Sequence, residues 1–231
     1  HWGFAFLLTA SIALALVADE GSRLFQWHML CGLGAASLLI LRLISGVAGS
    51  RHARFAAFPL SPQAVMRYFR GVVTGTADRY AGHNPGSALA ALAMFALVGI
   101  LVITGLGMGR EEMEELHEPV AYALMAVIGL HLAGLIAHTV RHRENIAVSM
   151  VTGRKLGHPD QAVVSARPVW GLAFLIVGVA WIVGLFAAHD PRAATTRLPL
   201  SGTVLALGER ESQGDRHEGD ERGHGRGHDE D

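Results

Sequence analysis

Cysteine is almost missing from this chain. Cys31 stands alone among 231 residues. A single thiol excludes an internal disulfide framework, and the lack of any Cys-x-x-Cys-His run excludes covalent haem attachment of the c type. No serine, cysteine or lysine sits in a nucleophile–base arrangement, and no glycine loop could cradle a phosphate. No internal repeat stands out. The first apolar run has neither a basic segment before it nor a small-residue cleavage site, which argues against a cleaved signal peptide. The chain opens on His1 rather than Met, so further residues are expected upstream. A net charge of −1 carries no message by itself, but its distribution does.

What the chain has is long apolar blocks. Half of it is hydrophobic (51%). Crossing a bilayer core of about 30 Å takes roughly 20 apolar residues in a helix. Five windows qualify: Trp2–Ala18, Trp27–Val47, Ser87–Met108, Pro119–Val140 and Val169–Ala188. The third carries no charge over 22 residues. These windows predict an all-α integral membrane protein. Its bundle has five spans, four of them a core and the fifth covering 169–188. Residues 1–189 form one transmembrane domain. Residues 190–231 are expected to be a disordered tail, because from Gly208 onward they hold little but Gly, Glu, Asp, Arg and His.

The connections alternate in charge. The first holds Asp19, Glu20 and Arg23. The second holds Arg51, Arg54, Arg67, Arg70 and Arg79 against Asp78. The third sets Arg110 against Glu111, Glu112, Glu114, Glu115 and Glu118. The fourth holds Arg141, Arg143, Arg154, Lys155 and Arg167 against Glu144 and Asp160. The excess of Lys and Arg on cytoplasmic loops then places the N-terminus inside and the tail outside. In a bacterium the membrane is the inner one, with the tail in the periplasm.

Ionisable side chains inside a bilayer are costly and mark function. Thirteen histidines occur, and most lie in loops or the tail. His1, His28, His117, His131 and His138 do not. By span direction, His28 and His117 lie at the outer depth and His1 at the inner depth. His131 follows His117 by 14 residues, about 21 Å along a helix and only about 40° short of four full turns. The two share a face at two depths. This gives two pairs, His28 with His117 and His1 with His131. Facing imidazoles on different helices suit a six-coordinate b-type haem, whose filled axial sites favour electron transfer. A lone histidine in an apolar helix more often bonds a neighbouring helix. His138 points nearly the same way as His131 and competes for the inner role. Its place beside Arg141 and His142 suits haem propionates or water better. Arg42, 14 residues after His28, either pairs with a propionate or snorkels to the interface. Gly32, Gly34, Gly129 and Gly134 would let a flat macrocycle or a neighbouring helix approach.

Several motifs bear a family resemblance: His1-Trp2, the pattern from His28 through Gly32 to Arg42 and Gly46, GSRHARF (49–55), RYAGHNPGS (79–87) and the run 115–155. Over roughly residues 1–155 the chain resembles the bacterial cytochrome b561 and nickel-hydrogenase cytochrome b family. The resemblance implies two b haems ligated by His1, His28, His117 and His131. It also implies that His83 and Asn84 touch the inner haem. From the residues alone, His83–Pro85 reads as a loop and helix start. Pro119, just after His117, is expected to bend the helix or to mark its beginning.

The expected function is electron relay across the membrane between quinone or quinol and a redox partner such as a c-type cytochrome. The acidic connection Glu111–Glu118 would steer a basic partner. Catalysis beyond quinone oxidation finds no support. Lipid is the surrounding partner, a homodimer is compatible, and nothing points to nucleic acid. Two alternatives stand: the membrane anchor of a hydrogenase-like complex, and a divalent-metal transporter suggested by the His-rich tail (217, 224, 228).

Overall fold

The structure is a computed structural model that describes residues 1–19, 22–51, 53–76, 80, 82–107, 110–143, 145–153 and 168–208. Seven α-helices and one β-hairpin follow in order among these residues. They are α1 (Trp2–Val17), α2 (Arg23–Ala48), α3 (Pro62–Thr74), α4 (Pro85–Leu106), α5 (Glu111–His142), α6 (Ile146–Thr152) and α7 (Pro168–Ala187), then β1 (Thr195–Arg197) and β2 (Val204–Ala206). A short 3₁₀ turn, Phe55–Ala57, precedes α3.

The helix starts follow local chemistry. Ser22 caps α2 by accepting from the Phe25 amide, and Ser61 caps α3 by accepting from the Ala64 amide. Asn84 caps α4 through the Ser87 amide at 2.8 Å, with Pro85 in the first turn, as the GHNP element predicts. α5 begins at Glu111, two turns before the expected Pro119. The acidic residues that read as a loop are its opening turns, where negative charge meets the positive end of the helix dipole. Pro119 lies inside this helix rather than at its start.

Among the described residues, four helices are long and apolar enough to cross a membrane: α2, α4, α5 and α7. The chain is therefore a multi-pass membrane protein. The expected first span, Trp2–Ala18, is α1, an apolar helix of 16 residues. At 1.5 Å per residue α1 is about 24 Å long, less than the bilayer core.

Packing runs in antiparallel pairs. α1 lies along α2, α4 lies along α5, and α7 flanks α2. The two pairs meet through α2 and α4. One core joins Leu7 and Leu8 of α1, Cys31, Ala35 and Leu39 of α2, Val98 of α4 and Leu124 of α5. Gly34 admits α1 and α7 to α2, since a Cβ there would stand 3.1 Å from Leu7 and 3.3 Å from Ile182. Gly46 receives the Phe55 ring in the same way and would collide with it if it bore a Cβ.

The segment after α7 departs from the expectation of disorder from 190. β1 and β2 pair antiparallel, with Thr196 opposite Leu205. Leu207 is 1% exposed and packs with Leu30 of α2 and Leu185 of α7. The buried Thr196 hydroxyl donates to the Leu185 carbonyl at 2.8 Å. The apolar content of 198–207 supplies this docking, and the charged composition starts only after it. The tail beyond Gly208 lies outside the described residues.

Asp190 opens the hairpin. Its carboxylate accepts from the Ala193 and Arg192 amides, which hold its pKa below the usual carboxylate range. A depressed carboxyl contributes stability above its unfolded pKa, near 3.9, and loses it as pH falls through the lower folded value. Hydrogen-exchange protection at the Ala193 amide should therefore weaken as the pH falls below the ordinary carboxylate range, and Asp190→Ala should remove that pH dependence. Leu207→Ala should cost about 2–5 kcal/mol of docking. Limited proteolysis should then cut 195–206 faster, while the spans remain intact.

Candidate functional site

The site is built from four helices. His28 stands in the second turn of α2 and His117 in the second turn of α5. Both are half-buried. Their ring centroids are 6.4 Å apart, with planes at 82°. The expected outer pair is therefore assembled.

Each ring is also held from behind. The Nδ1 of His28 lies 2.8 Å from the Ser11 carbonyl of α1, and the Ser11 hydroxyl lies 3.1 Å from the same nitrogen. A carbonyl only accepts, so Nδ1 carries the hydrogen. The Ser11 hydroxyl donates to the His28 carbonyl at 3.0 Å, which ties α1 to α2 at this depth. Phe25 packs on the His28 ring at 5.4 Å between centroids.

On the other side, Nδ1 of His117 lies 2.8 Å from the Thr104 hydroxyl of α4. That hydroxyl has one hydrogen, and the Ile100 and Leu101 carbonyls at 3.0 and 3.2 Å receive it. With its hydrogen placed there, its oxygen can accept from the His117 Nδ1–H. Thr104 is 1% exposed. Gly105 keeps the ring's edge clear, since a Cβ there would stand 3.4 Å from Cε1 of His117.

The Ser11 carbonyl thus fixes His28 as the tautomer with Nδ1–H and the Nε2 lone pair kept for a metal, and the Thr104 hydroxyl can support the same tautomer of His117. Two imidazoles on opposite sides of one iron, with metal–nitrogen bonds of about 2.0 Å, have centroids about 6.3 Å apart. The observed 6.4 Å fits that group.

The inner end is less tightly assembled. His1 caps α1, is exposed, and meets Trp2 edge-on at 5.4 Å. His131 is half-buried on α5, and its ring makes no contact with that of His1. Near His131 on α5, a Cβ on Gly129 or Gly134 would meet nothing within 4 Å. Arg42 stacks its guanidinium over Phe55 at 5.1 Å and Phe95 at 5.7 Å, and Nη1 donates to the Ser45 hydroxyl at 3.4 Å. Both are cation–π contacts, which hold the charged end of Arg42 beside the two rings. His83 packs on Phe58 at 4.7 Å. Asn84 accepts from the Ser87 amide through its side-chain oxygen, which caps α4. His138 is half-buried near the end of α5.

Ser11 and Thr104 were not legible as site residues. Their signal was a hydroxyl inside an apolar run, 17 residues before His28 and 13 before His117. That spacing places hydroxyl and imidazole opposite each other across the turn of an antiparallel helix pair. Among the described residues no group of three or more His, Cys, Asp or Glu gathers that could hold a bare metal ion. The tail histidines lie outside the described residues.

A family model described as prokaryotic cytochrome b561 matches residues 1–153. No curated protein and no solved structure matches the chain. Thr104→Val keeps the shape of the side chain but leaves the His117 N–H without an acceptor. It should weaken haem retention at the outer end about 10–100-fold, as loss of such a partner does at other metal sites. Titration of haem into the stripped protein measures this. Ser11→Ala should weaken it less, because the main-chain carbonyl at 2.8 Å remains.

Proposed function

We propose that this chain, which belongs to the prokaryotic cytochrome b561 family, holds two b haems and passes electrons between the quinone pool and a second redox protein. Membership makes it a haem-binding membrane cytochrome of electron transfer. The number of haems, the ligand assignment and the partners are our reading.

The observation that carries this reading is the outer pair. His28 and His117 come from different helices, each bonded at Nδ1 to a group on a neighbouring helix. Haem iron bound there would supply a one-electron redox centre with both axial sites filled. The residues do the rest. Ser11 and Thr104 orient the ligands before iron arrives, which lowers the cost of reorganisation. The core of Leu7, Leu8, Cys31, Ala35 and Leu39 keeps water from this depth. For the inner haem we assign His1 and His131, with Arg42, His83 and His138 near its propionates. The 14-residue rise from His117 to His131 supports it, since it sets two redox centres about 21 Å apart along one helix face.

We assign the protein to the bacterial inner membrane, with α1 as a fifth, short span and the N-terminus inside. The alternation of basic and acidic connections supports this orientation. Glu111, Glu112, Glu114, Glu115 and Glu118 then ring the outer end of α5 as exposed carboxylates. Such a ring would steer a basic c-type cytochrome toward the outer pair.

Haem quantitation on the purified chain tests the assignment. The wild type should bind two haems. His28→Ala and His117→Ala should each lose one, and His131→Ala should lose the other. If His138→Ala loses a haem where His131→Ala does not, the inner assignment fails. If wild type shows no b-type α-band on reduction, the whole reading fails.

A further inference from the structure

α3 has three faces. At 100° per residue, Ala64, Tyr68 and Gly71 share one side. Ala64 and Tyr68 are half-buried there and Gly71 is buried, while half-buried Val65 lies at the edge of the next arc. Met66, Phe69, Val72 and Val73 share a second arc, and all are exposed, Met66 at 72% and Val73 at 86%. Arg67 and Arg70 lie on the third, with Gln63.

Its placement follows from two contacts. Tyr68 lies against Gly86 in the first turn of α4, where a Cβ would stand 2.9 Å from its ring. Gly75, just past the end of α3, lies under the guanidinium of Arg141 in the last turn of α5, where a Cβ would stand 3.1 Å away. α4 and α5 are antiparallel neighbours, so the first turn of one and the last turn of the other share one membrane face. These two contacts hold α3 at the level where α4 begins and α5 ends.

A helix at that level with an exposed apolar arc beside arginines matches the boundary between lipid headgroups and acyl chains. The charge has one sign. Residues 51–76 hold four arginines and no Asp or Glu. We propose that α3 is an interfacial helix, seating Met66, Phe69, Val72 and Val73 in the bilayer and presenting Arg67 and Arg70 to anionic phospholipid headgroups.

The full chain, reconstituted in vesicles of equal phosphatidylcholine and phosphatidylglycerol, tests this. Native Cys31 is buried, so a nitroxide attached at Met66→Cys or Gln63→Cys reports alone. The label at 66 should collide mainly with dissolved oxygen, and the label at 63 mainly with a water-soluble nickel chelate. Equal water access at both positions overturns the proposal. So does a label at 66 shielded from both probes, which would mean that a protein covers this face. Spin-labelled phosphatidylglycerol should be enriched at least about twofold over phosphatidylcholine around the unlabelled chain. Arg67→Gln with Arg70→Gln should bring that ratio close to one. An unchanged ratio overturns the anionic-lipid part.

Discussion

An imidazole inside a bilayer has no water to bond, so each of its nitrogens must find a partner within the protein or in something the protein binds. The outer end of this bundle is organised around that constraint. His28 and His117 each give one nitrogen to a group on a neighbouring helix. The other nitrogen of each is left to a further partner, and the two ring centroids stand 6.4 Å apart, a spacing suited to a metal between the rings.

The helix arrangement serves the same end. Ser11 joins α1 to α2, and Thr104 joins α4 to α5, so each pair carries one imidazole already oriented. The pairs meet through α2 and α4, which brings the two rings together. α1 is shorter than a bilayer is thick, yet its Ser11 reaches the depth of His28. Its length matters less than where it puts that one residue. At the other end, Phe55 and Phe95 each make a cation–π contact with Arg42. The edge of a guanidinium held that way remains available for carboxylates.

Much of this was legible from spacing. Depth follows from the direction of each span, and it pairs His28 with His117. The family match over residues 1–153 agrees with the resemblance read from the motifs. Other features were not legible, for physical reasons. The start of α5 was set too late, because glutamates that suggest a loop also favour a helix N-terminus. The β-hairpin was missed because its two strands are three residues each and adjoin a charged, low-complexity tail. Thr104 was missed because a hydroxyl in an apolar helix usually bonds its own backbone. Thr104 does that as well, and its remaining lone pair serves His117.

The account rests on one iron held between two imidazoles at the outer end. Near-infrared magnetic circular dichroism of the oxidised protein tests this directly, because the charge-transfer band of low-spin ferric haem reports its axial ligands. The account predicts a bis-imidazole band that loses intensity in both His28→Ala and His117→Ala. A band of histidine–methionine or high-spin type in the wild type, or one indifferent to both substitutions, would contradict it.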